Sequence, residues 1–207
     1  MTHKIISILK KLKTINGILF IIAGLGSIAV YVLLGPEGIT TSGILDKGHT
    51  EKIAAYTLLT IPLAFMMTRN VERNTFIDAG LLIIVVGLSM GLVSDAINSA
   101  ELGAESDSIG AAIAWTGWSS MYLGIFITGI GYLRTNLFPK WLSGLLSVAS
   151  FAMFAFLAIL NGEQLLNNEN IVPPLWVINS LVLVILGIFT MRPKWLSWLS
   201  GLLSRAK

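Results

Sequence analysis

Six long apolar stretches, separated by short polar turns, make up almost the whole of this 207-residue chain. A helix needs about 20 predominantly apolar residues to cross the ~30 Å hydrocarbon core of a bilayer. The stretches cover residues 15–35, 51–68, 75–98, 109–133, 140–161 and 171–191. They predict an all-α polytopic integral membrane protein, a bundle of six transmembrane helices that occupies residues 1–191.

The composition agrees with this fold class. Hydrophobic residues make up 55% of the chain and charged residues 12%, and the mean hydropathy is +0.80. A soluble globular domain carries about 25% charged residues. The first apolar stretch, 15–35, follows a lysine-rich start but is longer than the apolar core of a signal peptide, so we expect a retained membrane helix.

Charge alternates in sign from one turn to the next. Twelve of the 14 basic residues fall at the N-terminus, in the second and fourth turns and in the C-terminal segment. They are Lys4, Lys10, Lys11, Lys13, Arg69, Arg73, Arg134, Lys140, Arg192, Lys194, Arg205 and Lys207. Lys and Arg mark the cytoplasmic side of membrane proteins. The pattern predicts an inner (cytoplasmic) membrane protein with both termini in the cytoplasm and three acidic turns outside.

The motif Pro-Lys-Trp-Leu-Ser occurs twice, beginning at Pro139 and at Pro193. Lysine side chains reach toward headgroups, and tryptophan rings settle at the membrane–water interface. We expect interface anchors at both copies, which are Lys140, Trp141, Lys194, Trp195 and Trp198. The second copy opens the segment 192–207, which is too short to cross a bilayer and predicts an amphipathic interfacial helix.

Residues 132–142, with the sequence Tyr-Leu-Arg-Thr-Asn-Leu-Phe-Pro-Lys-Trp-Leu, and the Pro-Pro-Leu-Trp run at 173–176 carry a resemblance. This part of the chain resembles uncharacterised bacterial multi-pass membrane proteins in which an Arg ends one span and Pro-(Arg/Lys)-Trp-Leu begins the next. The resemblance covers the last third of the chain. It implies a bundle of six or seven helices and no particular substrate.

Glycines recur along the third and fourth stretches. The fourth has them at intervals of seven residues, which is two helical turns, and the third has a Gly-x-x-x-Gly pair. They are Gly110, Gly117, Gly124 and Gly131, with Gly87 and Gly91. Small residues let helix backbones approach closely in lipid. We expect tight packing between these two helices, with a homo-oligomer contact or a ligand groove as the alternatives.

Polar and aromatic residues gather where the third stretch ends and the fourth and sixth begin. They are Asp95, Asn98, Trp115, Trp118 and Asn179. A charge within a membrane helix usually marks function. The sequence favours two interpretations: Asp95 reaches the headgroups and the tryptophans belong to the aromatic belt, or the five residues line an outward-facing pocket for a cation, a proton or another ligand.

Two helix-boundary features depend on local chemistry. Residues 75–78, Thr-Phe-Ile-Asp, fit a capping box in which Asp78 folds back onto the first free amides. Pro62 lies inside the second stretch and is expected to kink it, since proline has no N–H to donate.

The sequence offers little chemistry for catalysis. The chain contains no cysteine, and its two histidines, His3 and His49, fall on opposite sides of the predicted membrane. No HExxH or P-loop motif occurs. We expect a protein that is not an enzyme and that has no cofactor, no bound metal and no nucleic-acid partner.

Two functions remain open on this evidence. The first is an accessory or assembly subunit of a membrane complex, or a homo-oligomer, whose partners are the lipid bilayer and other membrane subunits. The alternative is a small transporter, channel or lipid-ligand binder that uses the pocket around Asp95.

Overall fold

The computed structural model describes residues 2–35, 43–100, 102–160 and 171–191, with side chains from residue 11 onward. This part of the chain is helical and contains no strand. The helices are α1 (Thr2–Ala29, continued by a π-helical turn at Val30–Leu34), α2 (Lys47–Leu58), α3 (Thr60–Arg69), α4 (Thr75–Ser99), α5 (Ala104–Leu133), α6 (Lys140–Ile159) and α7 (Val172–Met191).

Four of these helices are long and apolar enough to cross a membrane: the stretch Lys11–Leu34 together with α4, α6 and α7. The outer surface of the bundle is apolar as well. Leu82 is 66% exposed and Val148 is 69% exposed. A water-soluble monomer rarely shows a large contiguous apolar surface. These features indicate a membrane protein.

The second apolar stretch is two helices, with the turn residue Leu59 between them. Pro62 supplies the reason, because it cannot donate to the carbonyl of Leu58 and its ring crowds that carbonyl. The helical hydrogen bonding is interrupted at this point, but Leu59 keeps right-handed helical angles (φ −61°, ψ −19°). α2 and α3 have 12 and 10 residues, so neither reaches bilayer length alone. α5 has 30 residues, but glycine, serine and threonine dilute its apolar character.

The helices form a closed ring. α1 packs on α2 and α3, α2 and α3 pack on α4, and α4 packs on α5. The ring continues through α5–α6 and α6–α7 contacts and closes where α7 packs on α1. Each helix therefore lies beside its neighbours in sequence, and α2 and α3 together occupy one position in the ring.

The α4–α5 contact is built on backbone. All six of the predicted packing glycines lie in it, together with Gly80. A Cβ atom on Gly117 would lie 2.8 Å from the amide nitrogen of Gly91 and 2.9 Å from the carbonyl oxygen of Gly87. The glycine stripe is thus occupied by a helix of the same chain.

Asn74 caps α4, which corrects the expected capping box. Its side-chain oxygen accepts from the amide of Ile77 at 3.0 Å, and its amide group donates to the carbonyl of Gly131. Asp78 is therefore free to pair with Arg69, and with Arg73 at 2.9 Å. The ion pairs join the end of α3 to the start of α4.

The interface anchors are partly described. Lys140 donates to the carbonyls of Leu133 and Thr135, so it caps the end of α5. Trp141 is 57% exposed and packs edge to face on Phe189. Lys194, Trp195 and Trp198, with the predicted amphipathic tail, lie outside the described residues, as does residue 161 at the end of the fifth predicted span.

At the opposite end of the bundle, Asp46 caps α2. Its carboxylate accepts from the amide of His49 at 2.8 Å and also contacts the His49 ring. These hydrogen bonds hold the pKa of Asp46 below its usual value, and the bond from the backbone amide of His49 has the largest effect. We call this end, with Asp46, Glu51, Asp95 and Asp107, the acidic end; the end with Arg69, Arg73, Arg134 and Lys140 is the basic end.

We predict that Gly117→Ala lowers the free energy of unfolding by about 1–3 kcal/mol, the usual effect of overpacking. Its new methyl group would press on backbone atoms of α4, which cannot turn aside. Denaturant titration of the purified protein in mild detergent measures the change. Gly144→Ala is the matched control, because a Cβ there meets nothing within 4 Å and alanine favours the helix. Equal stability of the two variants would contradict the backbone contact.

Candidate functional site

A cavity of about 240 Å³ lies inside the ring, and every helix contributes to its lining. We call it the central cavity. Much of its surface comes from aliphatic side chains, among them Ile61, Ile125, Leu146, Leu157 and Leu183. Such a surface favours the apolar part of a ligand.

Asp95 is the one charged residue among those that line the central cavity. It lies one turn before the end of α4 and is half-buried. Within the described ranges its carboxylate has no hydrogen-bond or ion-pair partner. Removing a carboxylate from water without a partner costs free energy, so we expect a ligand or water to contact Asp95.

The charges around Asp95 are negative. Glu51 of α2 is close enough to act on Asp95 electrostatically, and the hydroxyl of Tyr31 donates to Oε2 of Glu51 at 2.6 Å. No Lys, Arg or His side chain is among the described residues that line the cavity. This end of the cavity therefore attracts positive charge.

Aromatic rings surround the same space. They are Tyr31, Trp115, Trp118, Tyr122 and Trp176. Trp118 is held in place by glycine, because a Cβ on Gly91 would lie 2.8 Å from its ring. The faces of such rings carry partial negative charge and attract cations within about 6 Å.

Asn179 lines the cavity but has its amide group fully engaged. Its Nδ2 donates to the carbonyls of Ala149 at 3.1 Å and Leu175 at 2.9 Å, and its Oδ1 accepts from the hydroxyl of Ser150 at 3.0 Å. The bonds with Ser150 and Ala149 connect α7 to α6, and the bond to Leu175 lies within α7. Asn179 is thus a structural residue at the edge of the cavity.

Asn98 is not among the residues that line the cavity. Its side chain packs against Gly110 in the α4–α5 contact. Its Oδ1 is buried and has no hydrogen-bond partner within the described ranges. The structure thus brings together Asp95, Trp115, Trp118 and Asn179 and leaves Asn98 outside.

Several lining residues were not among the predicted ones: Ser27, Tyr31, Trp176 and Ser180. Ser27 and Tyr31 are four residues apart near the end of the first apolar stretch, so they share one helix face. Polar groups that share a face of a membrane helix are the available signal. They line the same cavity as Asp95 because of the order of the helices around the ring. No local sequence pattern encodes that order.

Comparison with known proteins finds no matching family model, no curated protein of significantly similar sequence and no solved structure of significantly similar fold. The geometry of the cavity therefore carries the functional argument.

We predict that Asn179→Ala destabilises the fold by about 0.6–1.7 kcal/mol, the range measured for hydrogen bonds between membrane helices. The substitution removes both links from α7 to α6. Thermal unfolding in detergent provides the measurement. Thr116→Ala is the control, because that exposed hydroxyl bonds only to the carbonyl of Ala112 in its own helix. If Asn179→Ala unfolds no more easily than Thr116→Ala, the amide does not hold the two helices together.

Proposed function

We propose that the protein binds a small organic cation in the central cavity, with Asp95 as its counter-charge. The observation that carries the proposal is a single half-buried carboxylate, without a partner in the described part of the chain, at an aromatic and apolar cavity. This is the alternative of the sequence analysis, a transporter, channel or ligand binder with a pocket around Asp95, made specific in its ligand.

Both parts of the lining support an organic cation. A carboxylate with aromatic faces attracts an ammonium group, and cation–π contacts contribute about 0.5–2 kcal/mol each. A bare divalent ion would instead need six or more oxygen ligands. The aliphatic surface around Ile125 and Leu146 suits the carbon skeleton that such a ligand carries.

The size of the cavity supports a small ligand. Pockets for drug-sized molecules measure about 300–1,000 Å³, and the central cavity has about 240 Å³. A quaternary or protonated amine with a short alkyl or aryl group is of this class.

The accessory-subunit function has less support. It rests on the glycine-lined fourth stretch, the short turns, the lack of catalytic motifs and the amphipathic ends, and it predicts no water-filled cavity. The glycines of α4 and α5 face each other within the chain, and a cavity is present. A partner subunit or a homo-oligomer remains an untested prediction.

The topology that we propose follows the charge distribution. Six crossings, with α2 and α3 as one, put both termini and the basic end in the cytoplasm and the acidic end outside the inner membrane. The segment 192–207 lies along the cytoplasmic interface. The central cavity, with Asp95 near the acidic end, then belongs to the outer half of the bundle.

We predict that a reporter enzyme inserted at Gly103 becomes active only outside the cell membrane, whereas the same insertion at Glu72 leaves it inside. The two sites lie in the turns after and before α4, and the basic turn should stay in the cytoplasm. Activity assays on intact and permeabilised cells provide the readout. Reporters found on the same side would contradict the proposed crossing by α4.

We predict that Asp95→Asn weakens choline binding by roughly tenfold or more, equivalent to ~1.4 kcal/mol, because the counter-charge is lost while the shape is kept. Isothermal titration calorimetry on the purified protein measures this. The neutral analogue 3,3-dimethylbutan-1-ol should bind wild type and Asp95→Asn alike.

Asp107→Asn is the matched control for Asp95→Asn. Asp107 lies at the same end and contributes the same charge, but it faces Lys47 at 3.9 Å and does not line the cavity. Choline binding that is unchanged in Asp95→Asn, or reduced equally in Asp107→Asn, would overturn the proposal. So would the absence of binding by choline and by benzyltrimethylammonium in the wild-type protein.

A further inference from the structure

A second cavity, of about 310 Å³, lies at the basic end of the bundle. We call it the basic-end cavity. Its lining is more polar than that of the central cavity and includes Lys13, Asn16, Thr68, Asn70 and Thr190. Asn16 is 4% exposed, and its Oδ1 has no hydrogen-bond partner within the described ranges. A buried polar atom of this kind indicates a space that holds water or a polar ligand.

The two cavities share one axis. Three helices line both of them, and each has one residue of the central cavity and one of the basic-end cavity that are seven positions apart. The pairs are Ala23 and Asn16 on α1, Ile61 and Thr68 on α3, and Leu183 and Thr190 on α7. Seven residues make two turns, so each pair lies on one helix face about 10 Å apart. The cavities are therefore stacked along the interior of the ring.

One layer of side chains separates them. It consists of Phe20, Phe65, Tyr132, Leu142 and Leu186, each 1% exposed or less; we call it the central layer. Phe20 lies between Asn16 and Ala23 on its helix, one turn from each. Phe65 likewise lies between Ile61 and Thr68 on α3, and Leu186 lies between Leu183 and Thr190 on α7. The layer thus occupies the space that would join the two cavities.

The central layer is apolar apart from one hydroxyl group and is held by ring contacts. Phe20 packs edge to face on Phe65 at 5.2 Å, and Phe65 stacks on Tyr132 at 6.2 Å. The one polar atom in the layer is the hydroxyl of Tyr132, which bonds to Thr68 on the side of the basic-end cavity. An apolar constriction between two cavities that carry polar groups blocks polar solutes, as hydrophobic gates of channels do.

We propose that the two cavities are the halves of one translocation pathway and that the central layer is its closed gate. The inference rests on the proposed function in one respect: the solute that moves is the organic cation held beside Asp95. A solute must bind well enough to enter and weakly enough to leave.

The absence of cysteine from the chain makes the pathway open to a direct test. Single cysteines are placed in the central cavity (Ser27→Cys), in the basic-end cavity (Thr190→Cys) and, as a control, in the α4–α5 contact (Thr128→Cys), where the side chain is 0% exposed. A membrane-impermeant cationic methanethiosulfonate is applied to right-side-out or inverted vesicles. We expect Ser27→Cys and Thr190→Cys to react from opposite sides, and Thr128→Cys from neither.

The gate is tested by adding Phe65→Ala to Ser27→Cys. Removing the ring should connect the cavities, so the sidedness is lost and the cysteine reacts from both sides. Phe151→Ala is the matched control, because that ring is 48% exposed on the outside of the bundle, and it should leave the sidedness unchanged. A folded Phe65→Ala variant that retains sidedness, or a Thr190→Cys that reacts from the side of Ser27→Cys or from neither side, would overturn the pathway.

Choline flux separates this inference from the function on which it rests. In proteoliposomes, wild-type protein should carry radiolabelled choline and Phe65→Ala should increase its passive leak. Choline that binds to the detergent-purified protein but crosses the liposome membrane in neither variant would overturn the pathway and leave the binding function intact. Choline that does not bind at all would overturn the binding function, while the cysteine pattern would still decide whether a pathway exists.

Discussion

Several buried hydroxyl groups of this bundle find their hydrogen-bond partners within the protein, and the architecture depends on that constraint. The buried hydroxyls bond back to carbonyls of their own helices: Thr68 to Phe65, Thr128 to Gly124 and Thr190 to Leu186. A lipid-exposed helix has no other source of partners. Asp95 differs from these hydroxyls, because its carboxylate has no partner in the described residues; among uncharged groups, the amide oxygens of Asn16 and Asn98 share that condition.

α5 both packs against α4 and lines the central cavity. Its glycines, at Gly110, Gly117, Gly124 and Gly131, face α4 and bring the two backbones into contact. Its large side chains, including Trp115, Trp118 and Tyr122, line the cavity. The close approach on one face positions the aromatic residues on the other, so the packing stripe and the candidate site depend on the same turns of helix.

The sequence predicted those features that depend on local pattern. The limits of α4 at Thr75 and of α5 at Leu133 followed from apolar runs. Asp95, Trp115 and Trp118 of the cavity followed from polar and aromatic residues inside such runs. The cap of α4 was wrong, since Asn74 and Asp78 compete for similar roles and only the position of Arg69 and Arg73 decides between them. Ser27 and Tyr31 were missed because the order of helices around the ring, which brings α1 beside α2, is a tertiary property.

The interruption at Leu59 divides the second apolar stretch into two helices that contact different parts of the bundle. α2 contacts the central cavity through Ala54 and Leu58, whereas α3 carries Phe65 and ends at Arg69, which is tied to Asp78 of α4. Phe65 is six residues from the joint, a lever arm of ~9 Å at 1.5 Å per residue. A tilt of α3 about Leu59 by roughly 10° would therefore displace this residue by ~1.5 Å with α2 at rest. Because α3 also carries Ile61 of the central cavity and is tied to α4 through Arg69 and Asp78, such a tilt would couple the position of Phe65 to both.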